Sequence, residues 1–264
     1  MHDPLPVSIL LLARDEAERL AALLPALRFA REIVVVVDAS SRDQTREIAE
    51  RHGARVFVRA LEGFGPQRQF ALAQCGQEWV LWLDADERLD ARAVSALREA
   101  LASGTAAAYR WRRRTWFLGR PMRFCGWRGE RVLRLFRRCT ARFDDAPVHE
   151  RVIVEGAVAD LRGVIEHRSY ESWADCRDKL VRYATAGAEK ARREGRRAGP
   201  LDVMLRPPLR FLRMYVLQLG FLDGARGVAV CALAAAQVLL RYADLWAHPL
   251  GRADGGARGD DRRP

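Results

Sequence analysis

Residues 32–38 read EIVVVVD, an isoleucine and four valines in one unbroken apolar run that ends on an aspartate. β-Branched side chains suit a pleated strand, and a run without polar alternation suits a strand buried on both faces. The flanks carry the same signal. Upstream, Val7–Leu12 is another short apolar run, and Ala17–Ala30 then places Leu20, Leu23, Leu24 and Leu27 at helical spacing. Downstream, Ser41 is positioned to cap a helix over Asp43–His52, Gly53 closes it, and Ala54–Val58 reads as a third strand. A Gly-rich turn, GFGPQRQ (63–69), leads into a helix around Arg68–Cys75. WVLWLD (79–84) is a fourth strand, and Asp90–Leu101 another helix with Gly104 beyond it. Strand–helix alternation with short links implies right-handed crossovers: an α/β, doubly wound, mainly parallel sheet covered on both faces.

Past residue 105 the pattern changes. Ala106–Arg114, Val132–Arg137, Val152–Val154 and Leu161–Ile165 read as strands. From Trp173 the chain reads as a C-terminal helical appendage in three segments, about 173–194, 204–222 and 227–246, before a polar, Gly-rich tail at 251–264 expected to be disordered. Arg226 and Arg241 bracket 14 mostly apolar residues. At ~1.5 Å per residue these reach about 21 Å, short of the ~30 Å hydrocarbon core, so a membrane span is not expected there. Within 201–222, Leu205, Leu209, Leu212, Val216 and Leu219 share one helical face with Arg206, Arg210 and Arg213 beside it. That face either covers the protein's own core or lies on an anionic bilayer.

The chain of 264 residues has a net charge of +11, unevenly placed. Residues 1–104 sum to −3 and residues 144–264 to +3, while 105–143 hold 12 arginines and one acid, Glu130. Half the residues are apolar, enough for a proper core, which excludes wholesale disorder. Cys75, Cys125, Cys139, Cys176 and Cys231 are odd in number and show no CxxC pair, which argues against a disulfide framework or zinc site and for a reducing compartment. The N-terminus has no basic region, and its apolar run ends in charges after six residues, as a strand would and a signal peptide would not.

In a doubly wound sheet, ligands bind beyond the carboxyl ends of the strands. No GxGxxG follows the first strand and no GxxxxGK[ST] is present, which excludes the usual dinucleotide and P-loop signatures. Acids stand there instead. Asp38 ends the second strand, placed to accept hydrogen bonds from a ribose or base, and Asp84 and Asp86 end the fourth. Two hard oxygen ligands two residues apart suit Mg²⁺ or Mn²⁺ shared with a substrate's phosphates, although Asp86 and Asp90 also lie where helix caps would. Without these acids, the arginine stretch interleaved with Trp111, Trp116, Phe117 and Trp127 would read as a non-catalytic nucleic-acid patch.

Taken together, these segments resemble a family. IVVVVDASSRDQT (33–45) and WVLWLDADERL (79–89) resemble the corresponding segments of inverting family 2 glycosyltransferases of the GT-A fold. GFGPQRQFAL, FLGRPMRFCGW, RLFRR, VHERV and GFLDGARG with YADLW are similar, in order, to motifs of the lipopolysaccharide core β-glucosyltransferase branch, over about residues 5 to 247. Asp15, Ser40, Gln44 and Gln69 depart from the usual residues.

The resemblance implies four regions: a nucleotide-sugar-binding half at 1–104, an acceptor-binding part of the same domain at 105–170, a helical membrane-associating region at 171–250, and the tail. It implies that Asp38 contacts the uridine and Asp84 the ribose and metal, that Asp86 holds the metal, and that Arg68 and Arg134 contact the donor. Glu150 of VHERV is the expected general base with His149 beside it, Asp144, Asp145 and Glu130 being the reserves, while His167 is expected to be structural. The implied reaction moves a hexose, glucose from UDP-glucose, to an inner-core heptose of a lipid-linked lipopolysaccharide acceptor, with a divalent metal, Mg²⁺ or Mn²⁺. A relative acting on a polyisoprenyl phosphate or another cell-envelope acceptor is the alternative. The implied location is cytoplasmic, peripheral at the inner face of the inner membrane, with no nucleic-acid partner, and the aromatic and arginine side chains of 105–143 are expected to meet phosphorylated sugars.

Overall fold

Strand β1 (Leu5–Ala13) and helix α1 (Ala17–Leu23) open the chain, followed by β2 (Ala30–Asp38), α2 (Thr45–Arg51), β3 (Arg55–Arg59), α3 (Phe64–Gln74) and β4 (Trp79–Trp82). Then come β5 (Glu87–Leu89), α4 (Ala91–Ser103), β6 (Ala108–Phe117), β7 (Arg120–Pro121), β8 (Arg131–Arg137), β9 (Ala141–Phe143), β10 (Val152–Val154) and β11 (Val158–Tyr170). Three helices finish it: α5 (Trp173–Arg193), α6 (Pro200–Leu212) and α7 (Gly224–Ala247). These elements come from a computed structural model that describes residues 3–144 and 151–248. The described residues form two compact units, 3–115 with 129–144 and 151–168, and 116–128 with 169–248.

The valine run behaves as its composition requires. Val35 and Val37 enter one apolar layer with Ile9, Leu11, Leu81 and the α1 and α4 residues Leu20, Leu23 and Leu97. Val34 and Val36 enter the other, with Leu10, Val80, Trp82 and the α3 residues Ala71 and Leu72. The main sheet runs β3-β2-β1-β4-β8-β6-β11-β5, with β7 paired to β6. Its first four strands are parallel, and from β8 onward the pairings along it are antiparallel where the register is defined. The strands β9 and β10 make a separate antiparallel ribbon.

Several elements differ from the sequence reading. The helix from Ala17 stops at Leu23 and tightens into a 3-10 turn over Leu24–Leu27, because Pro25 has no N–H to continue the α-helical ladder. Ser41 does not cap the second helix, which begins at Thr45. Its hydroxyl instead accepts from the Asp15 backbone N–H at 3.0 Å. The Gly-rich turn is itself the first turn of α3. The segment 204–222 is not one helix: α6 ends at Leu212, a π-turn covers Arg213–Leu217, and Leu219 takes a left-handed φ of 56°. The short strands β5, β7 and β9 carry no signal in the sequence, because two or three residues show no period.

In the helical unit, Ser172 and Asp175 form a reciprocal capping box that starts α5. Cys125, Cys176, Met214, Val230 and Cys231 form its core with Phe117 and Met122. The Asp223 carboxylate ties the 116–128 excursion to these helices by accepting from the backbone N–H groups of Phe124 at 2.9 Å and Arg123 at 3.2 Å. All five cysteines are free thiols, and burial pushes the Cys125 thiol up to about 12. The helical stretch Gly220–Ala247 is long and apolar enough to cross a membrane by length and composition, since it continues past both Arg226 and Arg241. An ion pair at 3.3 Å between Arg192 and Asp244 fixes α7 to α5.

Gly163, inside β11 at φ +91°, lies so close to α4 that a Cβ would sit 2.3 Å from the Ala93 backbone nitrogen. Gly163→Ala is therefore expected to cost about 3 kcal/mol or more in urea denaturation. Gly53→Ala, also left-handed but facing open space, should cost only about 1 kcal/mol.

Candidate functional site

The strand order puts β1 between β2 and β4, all parallel, so Asp38 and Asp84 lie at the same sheet edge, about 10 Å apart at two inter-strand spacings. The loops after β1 and β2 are sewn together. Asp15, in a left-handed conformation (φ 52°) that aspartate tolerates better than most residues, accepts from the Arg42 N–H at 2.7 Å. The backbone N–H groups of Glu16 and Ala17 donate to Thr45 Oγ1 at 2.8 Å and Asp43 at 3.0 Å. Asp38, nearly buried, accepts from the Ser40 N–H at 2.9 Å and has Arg14 at 3.9 Å. The Ser40 hydrogen bond, aided by Arg14, holds its carboxyl below the usual aspartate range against the opposing effect of burial.

At the end of β4 a denser cluster forms. Asp84 meets Arg68 Nη2 at 3.2 Å on one oxygen and Arg134 Nη2 at 2.9 Å on the other. Arg134 also donates to Glu87 at 2.7 Å, and both guanidiniums lie over the Trp82 indole with Cζ 4.2 Å from the ring centroid. A tight turn produces this grouping, in which the Glu87 N–H donates to the Asp84 carbonyl at 2.9 Å and the Asp84 N–H points at the Glu87 carboxylate at 3.3 Å. Glu87 is wholly buried, and burial pushes its carboxyl up, against the pull of Arg134. Burial acts the same way on Asp84, but Arg134 and Arg68 outweigh it and hold that carboxyl low. Arg113 extends the network, lying 3.8 Å from Glu87 and gripping Glu130 through Nη2 at 2.6 Å and Nε at 3.1 Å.

Asp86 lies on the next turn, its side chain 14% exposed, with His167 Nε2 at 3.4 Å. His167, expected from the sequence to be structural, is set by the β11–β5 register opposite Glu87, beside the acids, and among the described residues its buried Nδ1 has no hydrogen-bond partner. Its only sequence signal was a lone histidine in a strand. Among the described residues, no three His, Cys, Asp or Glu side chains close around a metal by themselves. The chemistry of Asp84, Asp86 and His167 nevertheless fits a divalent ion that takes its remaining ligands from a substrate's phosphates.

Other expected residues fare differently. Glu150, His149 and the reserve base Asp145 lie outside the described residues, as does the tail 251–264. The described ends of that stretch, Asp144 and Arg151, are joined by hydrogen bonds of 3.1 and 2.9 Å. Glu130 is committed to Arg113. Trp111 and Phe117 are core residues, 0% and 1% exposed, and cannot stack on a sugar, because strand alternation turns them inward. Trp127 stacks instead on Tyr170 at 6.3 Å. Among the described residues, six of the twelve arginines in 105–143 are paired with acids: Arg110, Arg113, Arg114, Arg131, Arg134 and Arg137.

Arg134→Leu would strand two carboxylates, one fully buried, and is expected to lower stability by about 3–5 kcal/mol in urea denaturation. An aspartate held below its unfolded value adds stability that is fully present above about pH 4 and is lost as pH falls through its folded value. Asp84→Asn should therefore flatten the acid limb of the stability–pH curve, measured by denaturation from about pH 5 downward.

A family model described as glycosyl transferase family 2 matches residues 8–146. The lipopolysaccharide core biosynthesis glycosyltransferase LpsC of Rhizobium meliloti is 31% identical over 92% of this chain and 95% of its own. An uncharacterized glycosyltransferase of Rickettsia prowazekii, RP128, is 24% identical over 90% of this chain and 86% of its own. Among solved structures, S. aureus TarS 1–349 in complex with UDP-GlcNAc has a TM-score of 0.45 and 14% identity, covering 91% of this chain and 92% of that one. On the family model and the full-length relative, this chain belongs to glycosyl transferase family 2, as an enzyme with the GT-A type of α/β sheet and a C-terminal helical region.

Proposed function

We propose that this enzyme transfers a hexose, glucose from UDP-glucose, onto a heptose of a lipopolysaccharide inner core, inverting the anomeric carbon. The likeness to the lipopolysaccharide core enzyme over 92% of the chain supports the acceptor class. The observation that carries the donor reading is the meeting of Asp84, Asp86, His167, Arg68 and Arg134 beyond β4, at the edge where Asp38 ends β2.

In this reading Asp38 accepts hydrogen bonds from the uridine, and Asp84 faces the ribose and metal. Asp86 and His167 hold the divalent ion, which when bound neutralises charge on the diphosphate. The acceptor hydroxyl oxygen attacks C1 of the sugar from the face opposite the diphosphate, in one displacement. The C1–O bond to phosphate breaks, its electron pair leaves with UDP, and the hydroxyl proton passes to a carboxylate. Glu150 is the base assigned to that proton, with His149 orienting it. Arg68 and Arg134, both paired with Asp84, add positive charge where the diphosphate departs.

Asp86→Ala is expected to abolish Mn²⁺-dependent binding of UDP-glucose in calorimetry while circular dichroism stays unchanged. His167→Ala should weaken Mn²⁺ binding by about a hundredfold. UDP-glucose binding that is unaltered in Asp86→Ala would sink this assignment of the donor site. A panel of nucleotide sugars, scored by metal-dependent thermal shift, identifies the donor directly: the largest shift is expected for UDP-glucose.

A further inference from the structure

Helix α6 and the turn after it carry three lines of residues, and only one of them is packed into the core of the helical unit. Pro207 and Met214 are buried and Phe211 is partly buried, forming the line that packs into the helical unit. A second line, Leu201, Met204, Leu205, Leu209 and Leu212, recurs every three or four residues and stays exposed, with Leu201 at 70%, Met204 at 69% and Leu209 at 62%. Val216, Leu217, Phe221 and Leu222 extend the exposed apolar series through the turns that follow, Leu217 reaching 77%. The third line is Arg206, Arg210 and Arg213, all exposed.

A helix apolar on both a covered and an uncovered face has more hydrophobic surface than its own protein can hide. We infer that the uncovered face of α6 and of the turns to Leu222 is a membrane-docking surface for an anionic bilayer. The leucines would enter the boundary between head groups and acyl chains while the arginines meet lipid phosphates. Charge complementarity selects this occupant. Arg206 is partly engaged, pairing with Asp202 at 2.6 Å and lying 4.7 Å over the Tyr242 ring. Arg210 and Arg213 have no ion pair among the described residues. A second copy of this surface would bring the same arginines toward each other, whereas a layer of anionic head groups accepts both the cations and the apolar line. The covered line also separates two readings that the sequence left open: the leucine face is not the one that closes the core.

The inference does not depend on the acceptor, and its test uses vesicles that contain no lipopolysaccharide. The full chain is sedimented with vesicles of phosphatidylcholine with phosphatidylglycerol, and with phosphatidylcholine alone. It should pellet with the anionic vesicles and much less with the neutral ones. Leu205→Ser, Leu209→Ser and Leu212→Ser combined should weaken binding by about a hundredfold, and Arg210→Glu with Arg213→Glu by about thirtyfold. Both variants should keep the circular dichroism and UDP-glucose binding of the parent, which separates failure of this surface from failure of the fold or of the donor site. Wild-type protein left in the supernatant with phosphatidylglycerol would overturn the inference, as would a triple variant that still pellets. So would a wild-type dimer in light scattering that the triple variant breaks, because a second copy would then be the occupant.

Discussion

A guanidinium buried between carboxylates is the constraint on which this site depends. Arg134 is 5% exposed and Glu87 is wholly buried, and a lone charge in either place would cost several kcal/mol of desolvation. Each is tolerable only because the other is there, with Asp84 completing the group and the Trp82 ring giving both arginines a weakly hydrated surface. The arrangement locks side-chain directions. Asp84 is held low and ionised between Arg68 and Arg134 while it keeps 34% of its side chain open, so it can still face a ligand.

Topology makes that grouping available. β4 is the seam of the sheet, parallel to β1 on one side and antiparallel to β8 on the other. A parallel neighbour would bring its own carboxyl end to the edge where Asp84 lies. An antiparallel neighbour brings its amino-terminal half there, and the register that sets Trp79 against Arg137 and Leu81 against Leu135 carries Arg134 to Trp82. The same reversal lets β11, coming back beside β5, deliver His167 to Asp86. Acids from the parallel half and bases from the antiparallel half therefore meet at one edge.

The acidic side of this meeting was legible in the sequence, because Asp38 and Asp84 end apolar runs that can only be buried strands. The basic side was legible only through the family resemblance. In YRWRRRTWF the alternation of Tyr109, Trp111 and Phe117 puts Arg113 on the inward face and Arg112 on the outward one, but it does not reveal the carboxylates, Glu87 and Glu130, that Arg113 meets there. The position of His167 beside Asp86 was not legible for a different reason: it comes from cross-strand register with a three-residue strand too short to read. Trp111 and Phe117 misled in the opposite direction, because an aromatic flanked by arginines looks exposed in sequence while the strand turns it into the core.

The concentration of charge in residues 105–143 changes meaning once its pairing is seen. Among the described residues six of its arginines pair with acids, most of which lie outside the segment, so the twelve arginines counted there overstate the local field that a ligand would meet. Paired arginines of this kind hold strands and carboxylates in place; salt screens little the buried pairs of Arg134 and screens more the exposed ones, such as Arg110 and Arg131 with Asp160. The long-range field comes instead from exposed arginines that form no ion pair among the described residues, such as Arg112 in β6 and Arg210 and Arg213 beside the leucine face of α6. Net charge by segment thus located the arginines, but only their partners separate those that build the protein from those left to act on something outside it.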